Sequence, residues 1–424
     1  MQLKRHFGSA GRATARVAHG RRRLTGRDPH ESHRASTPLE LLYDLTIVVA
    51  FGTAANELAH YVAEGHYATG VSGFAIASFA VSWGWLNYSW FASAYDADDW
   101  VFRLATMTQM VGVIVMALGL QQAFASLDHG DTLDIKVMVA GYVVMRASML
   151  FLWWQVSRHD PPRRATAHVY MTGLAIAQAA WIALALAELD KTATFALFVG
   201  LIAVELACPW LAERRGRTPW HAHHIAERYG LLVIITLGEG IIGTVASLNA
   251  VVHGAHGWTV DAALVAIAGV GLTFGSWWMY FALPWPEMLH RRRQRAFAFG
   301  YGHLVMFAAL AAMGGGLHVA SLYLEGQTTI GETATVLSVA VPVALYTLAL
   351  YVLYSFVMRT ADPFHLTLLG LTALVLVLSV VLAAVGVDMA VCLIVLMAAP
   401  AVTVVGYEVL GHQHVAAALE RIDR

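Results

Sequence analysis

Glu239 stands inside an apolar run, LLVIITLGEGIIG at residues 231–243, with glycines on both sides. The spacing Gly238-Glu239-Gly240-Ile-Ile-Gly243 fits the glycine pattern of a dinucleotide-binding turn, and Asp261 lies near the distance of a ribose-binding acid. The run does not stop at the glycines, as a strand does before a phosphate loop. It continues through Ile241, Ile242, Val245 and Ala246 to Val252, so the segment predicts a helix in which Gly240 with Thr244, or Gly243 with Ser247, forms a small-residue packing edge. A carboxylate in such a helix is chemistry in an apolar setting. Arg146 is a second charge of this kind, of opposite sign and similar depth, and a direct or water-bridged pair would relieve both costs. Two readings stay open: Glu239 titrates or binds a cation or substrate with Arg146 as its counter-charge, or the two form a static bridge between helices.

Further titratable residues gather elsewhere. Glu40 and Asp44 share a helix face at i, i+4, and the deeper Asp44 suits a functional or helix-pairing role. Glu57, His60 and Glu64 fall on one stripe near the other end of the same segment, where hydration accounts for them. In Trp220-His-Ala-His-His-Ile-Ala-Glu-Arg-Tyr-Gly230, His223 and Glu227 stand at i, i+4, but the His-Glu-x-x-His zinc pattern is absent. Glu227 and Arg228 fit better as part of a packed entrance. His303 and His318 could shuttle protons, although a hydrogen bond to a neighbouring carbonyl is the commoner use. The aromatic clusters Trp83–Phe91 and Trp277–Phe281 read as interfacial belts, and the acidic stretch Tyr95–Trp100 as a solvated loop. Cys208 and Cys392 sit singly in apolar runs and imply no redox chemistry. No cofactor and no metal are expected.

The elements that must position these residues are membrane helices. Of 424 residues, 58% are hydrophobic and 13% charged, with a mean hydropathy of +0.60, against about 45–50% and about 25% in soluble domains. Runs long enough to span a bilayer recur near 40–62, 69–91, 104–126, 135–157, 168–187, 193–211, 229–251, 260–283, 299–322, 336–358, 365–386 and 387–408. The fold class expected is an all-α polytopic bundle of about 12 helices. An even count puts both termini on one side, and the basic first residues make that side cytoplasmic. All of the 27 Lys and Arg except Lys136, Lys191 and Arg146 then fall on it. A net charge of -1 gives no reason to expect nucleic acid as a partner; the bilayer is the expected one.

Faint self-similarity suggests two parallel halves: Tyr43, Leu45 and Gly52 match Tyr229, Leu231 and Gly238, and Trp85 and Tyr88 match Trp277 and Tyr280. The division expected is a disordered basic tail at 1–36, a first six-helix half at 37–211, a cytoplasmic linker at 212–228, a second half at 229–410 and a C-terminal tail at 411–424.

Pro38-Leu39-Glu40-Leu41-Leu42-Tyr43-Asp44-Leu45, Trp85 to Asp99, Glu227-Arg228-Tyr229-Gly230-Leu231 through Gly238-Glu239, and Trp277-Trp278-Met279-Tyr280-Phe281 together resemble the low temperature requirement A family, LtrA. The resemblance implies a bacterial multi-pass membrane protein associated with growth in the cold, with Asp44, Glu227, Arg228 and Glu239 as signature positions, and assigns no reaction. Leu42-Tyr43-Asp44 departs from the family's Phe-Phe-Asp, and Gly238-Glu239-Gly240 from its Gly-Glu-Ser, which removes a hydroxyl partner for Glu239. The function expected is a small-solute permease coupled to protons or a cation, with Asp44, Arg146, Glu239, Glu40, Glu227 and Arg228 as binding candidates. A lipid-modifying membrane enzyme and a non-catalytic membrane scaffold are the alternatives.

Overall fold

The computed structural model describes residues 21–31, 34–252 and 259–422, with side chains of 246–252 left out. Twelve helices long and apolar enough to cross a membrane lie among the described residues. They are α1 (Pro38–Ala63), α2 (Tyr67–Tyr95), α3 (Trp100–His129), α4 (Lys136–His159), α5 (Pro161–Leu186), α6 (Lys191–Arg215), α7 (Ala222–Val252), α8 (Val260–Arg291), α9 (Arg293–Leu324), α10 (Glu332–Met358), α11 (Pro363–Ala384) and α12 (Met389–Glu420). Each covers a run expected from the sequence, and the chain is an all-helical, multi-pass membrane protein. The run 231–243 lies wholly within α7, so the glycine pattern opens no phosphate loop. Ser247 lies outside the described side chains, so the edge proposed for it with Gly243 does too.

Local chemistry sets the ends. Thr37 caps α1 in a reciprocal box with Glu40, and Pro38 supplies the preset first helical position. The tight closing hairpin is formed by Gly386, whose φ of 88° suits only glycine without strain, and by Asp388, whose carboxylate accepts from the Ala390 and Val391 amides. Beyond it, α12 passes through a π-helical turn at Tyr407–Gly411 and continues to Glu420, burying Val415 and Ala418. The stretch 411–420 is thus helical and packed. α6 runs to Arg215 and α7 begins at Ala222, which shortens the connection between them.

The helices pack in a repeated order. α1 lies against α2 and α3, α3 against α4, α4 against α5 and α5 against α6; α7 lies against α8 and α9, α9 against α10, α10 against α11 and α11 against α12; α8 also packs closely on α12, a contact that α2 and α6 do not repeat. The two sets meet where α1 and α2 touch α7 and α9. α9 is the most enclosed span, with 78% of its apolar window buried, whereas α11 at 28% is peripheral. Leu374, Val377, Leu378 and Val381 of α11 face outward, as lipid-facing side chains do.

Residues 21–31 and 34–36, expected in a disordered tail, make specific contacts across the arginine-rich end of the bundle. The Arg21 guanidinium donates to Gln155 at 2.6 Å, the Arg22 amide to Asp99 at 2.8 Å and the Arg27 amide to the Ala94 carbonyl at 2.9 Å, while Leu24 is buried. Asp96 and Asp99 are accordingly buried in holding this strap, against the expectation of a solvated loop. Residues 1–20 lie outside the described residues.

Candidate ion-coupling site

One turn of helix brings Glu40 and Asp44 onto the same face of α1, where both meet Arg228 of α7. Arg228 Nη1 lies 2.9 Å from Glu40 Oε1, and Nη2 donates to Asp44 Oδ1 at 2.5 Å. Trp85 of α2 donates its indole N–H to the same Asp44 oxygen at 2.6 Å. His224 Nε2 is 3.2 Å from Glu40 Oε1, and Arg34, from the strap, reaches Glu40 at 3.8 Å and Asp96 at 3.5 Å. Every side chain of the Glu40–Asp44–Arg228 core is fully buried. The guanidinium lies 5.7 Å from the centroids of both the Trp85 and Tyr88 rings, a cation–π setting. The cage joins the first six helices to the second six. Outside the spans, at the end of α2, burial pushes the Asp96 carboxyl above its ordinary range, the Glu40 carboxylate adds to this, and Arg34 opposes it.

Glu227 points elsewhere. Its carboxylate accepts from the Ser36 amide at 3.2 Å, so it ties down the strap beside the cage without entering it. His223 stacks edge-on with His290 at a centroid distance of 5.4 Å, and no group of three or more His, Cys, Asp and Glu that could hold a metal occurs among the described residues.

Arg146 and Glu239 are not partners. Arg146 Nη2 pairs with Glu205 of α6 at 3.1 Å and also contacts the Tyr142 hydroxyl. Glu205 accepts from Trp83 at 2.9 Å, from Tyr142 at 2.7 Å and from Trp181 at 3.2 Å, so each carboxylate oxygen has more than one donor. A buried pair satisfied so fully on the carboxylate side is a packing device linking α2, α4, α5 and α6. Glu205 escaped the sequence reading, although an acid near the midpoint of Lys191–Arg215 is as visible a signal as Arg146 itself. Trp83 and Trp85 serve these carboxylates from fully buried positions, against the interfacial-belt expectation; in the second aromatic cluster Trp277 and Trp278 are exposed, while Tyr280 is buried against His303.

Glu239 is different in kind. Only 6% exposed, it is seated between α1 and α9 by two glycines. A Cβ on Gly52 would stand 2.8 Å from Glu239 Oε1, and one on Gly314 would stand 2.6 Å from the Glu239 carbonyl carbon. The carboxyl has no hydrogen-bond or ion-pair partner among the described residues. The next turn packs through small residues as expected: Thr244 donates to the Gly240 carbonyl at 2.7 Å, and a Cβ on Gly240 would stand 2.6 Å from Thr273 Oγ1 of α8. His303 spends both ring nitrogens on fixed partners, Nδ1 on the Phe299 carbonyl at 2.7 Å and Nε2 on the Tyr280 hydroxyl at 3.0 Å, which is the carbonyl-bonded use. At the far end of α1, His60 and Glu64 are exposed and pair loosely at 3.7 Å.

Residues 35–400 match the family described as Bacterial low temperature requirement A protein (LtrA). An uncharacterized protein of Rhizobium meliloti (strain 1021) is 28% identical over 297 residues, 64% of this chain and 66% of that protein. The match therefore spans just under two thirds of that relative's length. No solved structure matches the chain.

Proposed function

Since the chain belongs to the bacterial low temperature requirement A family, we propose that it is a permease of the bacterial inner membrane that couples movement of a small solute to protons or a cation, with Glu239 as the coupling group. The observation that carries this reading is the unpartnered Glu239 carboxyl at the crossing of α1, α7 and α9, where the two sets of six helices meet. A charge at the bilayer centre costs about 2.5–3.5 kcal/mol on insertion scales, and residues that carry this cost without a static partner are typically those that take up and release an ion. Arg146, satisfied by Glu205, belongs to the scaffold in this account. The Asp44–Arg228 cage is the bridge across which the two sets move relative to each other, and the repeated order of helix packing supports two parallel halves.

Both termini lie in the cytoplasm in this proposal, because the basic residues concentrate at the end of the bundle that carries them. A role in growth at low temperature is part of the same proposal and rests on the family description. The test is solute-driven proton uptake by the full chain in proteoliposomes, screened over solute classes. Uptake lost in Glu239→Gln supports the assignment, and a variant that transports as well as the parent removes Glu239 from the mechanism.

A further inference from the structure

Three serines of α2 lack the partner that buried hydroxyls in helices ordinarily have. Thr106, Thr273 and Thr347, all buried, each donate to a carbonyl one turn back in their own helix, at 3.0, 2.9 and 2.8 Å. Ser78, Ser82 and Ser89 are 2%, 0% and 0% exposed, and their hydroxyls bond to nothing among the described residues. They recur at i, i+4 and i+11, on the stripe that also carries Trp85 at i+7. Trp85 fixes where that stripe looks: its ring meets Tyr229 of α7 and Phe307 of α9, and its N–H meets Asp44 of α1. The serines therefore line the junction of the two six-helix sets.

Depth along the helices connects this stripe to both ends of the site. Ser89 lies next to Tyr88, whose ring Arg228 overlies. From Trp85, level with Asp44, Ser78 is seven residues back along α2, a rise of about 10 Å. Gly52, against which Glu239 is seated, is eight residues on from Asp44 along the antiparallel α1, about 12 Å. Ser78 thus comes level with Glu239, and Ser89 with the cage. At the cage end, Asp44 Oδ2, the oxygen that neither Arg228 nor Trp85 takes, is likewise buried and has no partner among the described residues, and the same holds for the Tyr43 hydroxyl.

Buried polar atoms in proteins are almost always satisfied, by protein or by ordered water with two to four partners. We propose that Ser78, Ser82 and Ser89 carry a file of water along α2, and that this file is the route by which protons pass between the arginine-rich end, at Asp44, and Glu239. The inference rests on the proposed coupling role of Glu239 and adds that the coupling ion is a proton. The charged and titratable groups around the column include Glu40, Tyr43 and Asp44 of α1, Tyr88 of α2, His224, Arg228, Tyr229 and Glu239 of α7, and His303 of α9, which packs on Tyr229. His303 does not relay, because both its nitrogens are engaged.

The experiment follows the protonated Glu239 carboxyl by its infrared carbonyl band after a pH jump, on the full chain in lipid nanodiscs, with Glu239→Gln assigning the band. Ser82→Val, which replaces the hydroxyl with a methyl and adds a second methyl to Cβ, is expected to slow the appearance of the band tenfold or more without changing its final amplitude. Ser82→Thr, which keeps a hydroxyl, is expected to retain the parent rate, and Ser78→Ala guards against a Ser82 variant that fails to fold. A band that forms at the parent rate in both Ser82→Val and Ser78→Ala overturns the route and leaves the coupling role of Glu239 standing. The absence of any titrating Glu239 band overturns both.

Discussion

At the residue scale, the buried charges divide by whether they have a partner. Arg146 and Glu205 are held by three aromatic donors and by each other. Removing one member leaves the other buried and uncompensated, so Glu205→Gln and Arg146→Leu are each expected to lower unfolding stability in detergent by about 3–5 kcal/mol. The double replacement Arg146→Met with Glu205→Leu should recover much of that loss, and proton uptake by Glu239 should be unaffected throughout. Asp96 gives a prediction with a definite pH sign. Its folded-state carboxyl is pushed up, by burial first, so between its ordinary pKa near 4 and its raised value the folded protein binds more protons than the unfolded chain. Stability contributed by this group is then present at low pH and lost as pH rises through that window. Thermal unfolding of wild type and Asp96→Asn, compared at about pH 4 and about pH 6, should shift in favour of the variant as pH rises. The sequence made Glu239 and Arg146 conspicuous, but pairing them required knowing which helices are neighbours, which is non-local information. Glu205 was legible by the criterion that found Arg146.

At the scale of the element, helix existence and extent were written plainly in the chain. Apolar run length fixes a span, and Thr37, Pro38, Gly386 and Asp388 mark ends by their own local chemistry. The internal match was less faithful. Tyr43 and Tyr229 are both fully buried, yet Trp85 sits in the core while its counterpart Trp277 is exposed, since identity at an aligned position does not fix which face of the helix is covered. Glycines are legible as close approaches only once the neighbour is known. A Cβ on Gly112 of α3 would stand 2.7 Å from the Gly141 carbonyl oxygen and 2.8 Å from the Met145 amide of α4. Gly112→Val should therefore force the two helices apart and lose about 1–3 kcal/mol. Gly200, with open space around its Cβ position, should accept alanine and gain about 0.5–1 kcal/mol. Chemical unfolding of the two variants side by side checks both.

On the scale of the whole molecule, the two sets of six helices touch through α1, α2, α7 and α9, and a group of buried polar residues without static partners lies along that junction. Glu239 stands there, with the Asp44–Arg228 cage toward the arginine-rich end and the serine stripe between them. A static scaffold would gain nothing from an unpartnered carboxyl in its centre. A protein that changes the relation of its halves would use one to couple that change to an ion. The most direct test is proton uptake driven by solute in proteoliposomes, parent against Glu239→Gln, with Glu205→Gln in the same assay. Uptake is expected in the parent, none in Glu239→Gln, and retained uptake in whatever Glu205→Gln protein folds. Equal uptake in the parent and Glu239→Gln would contradict the coupling role of Glu239.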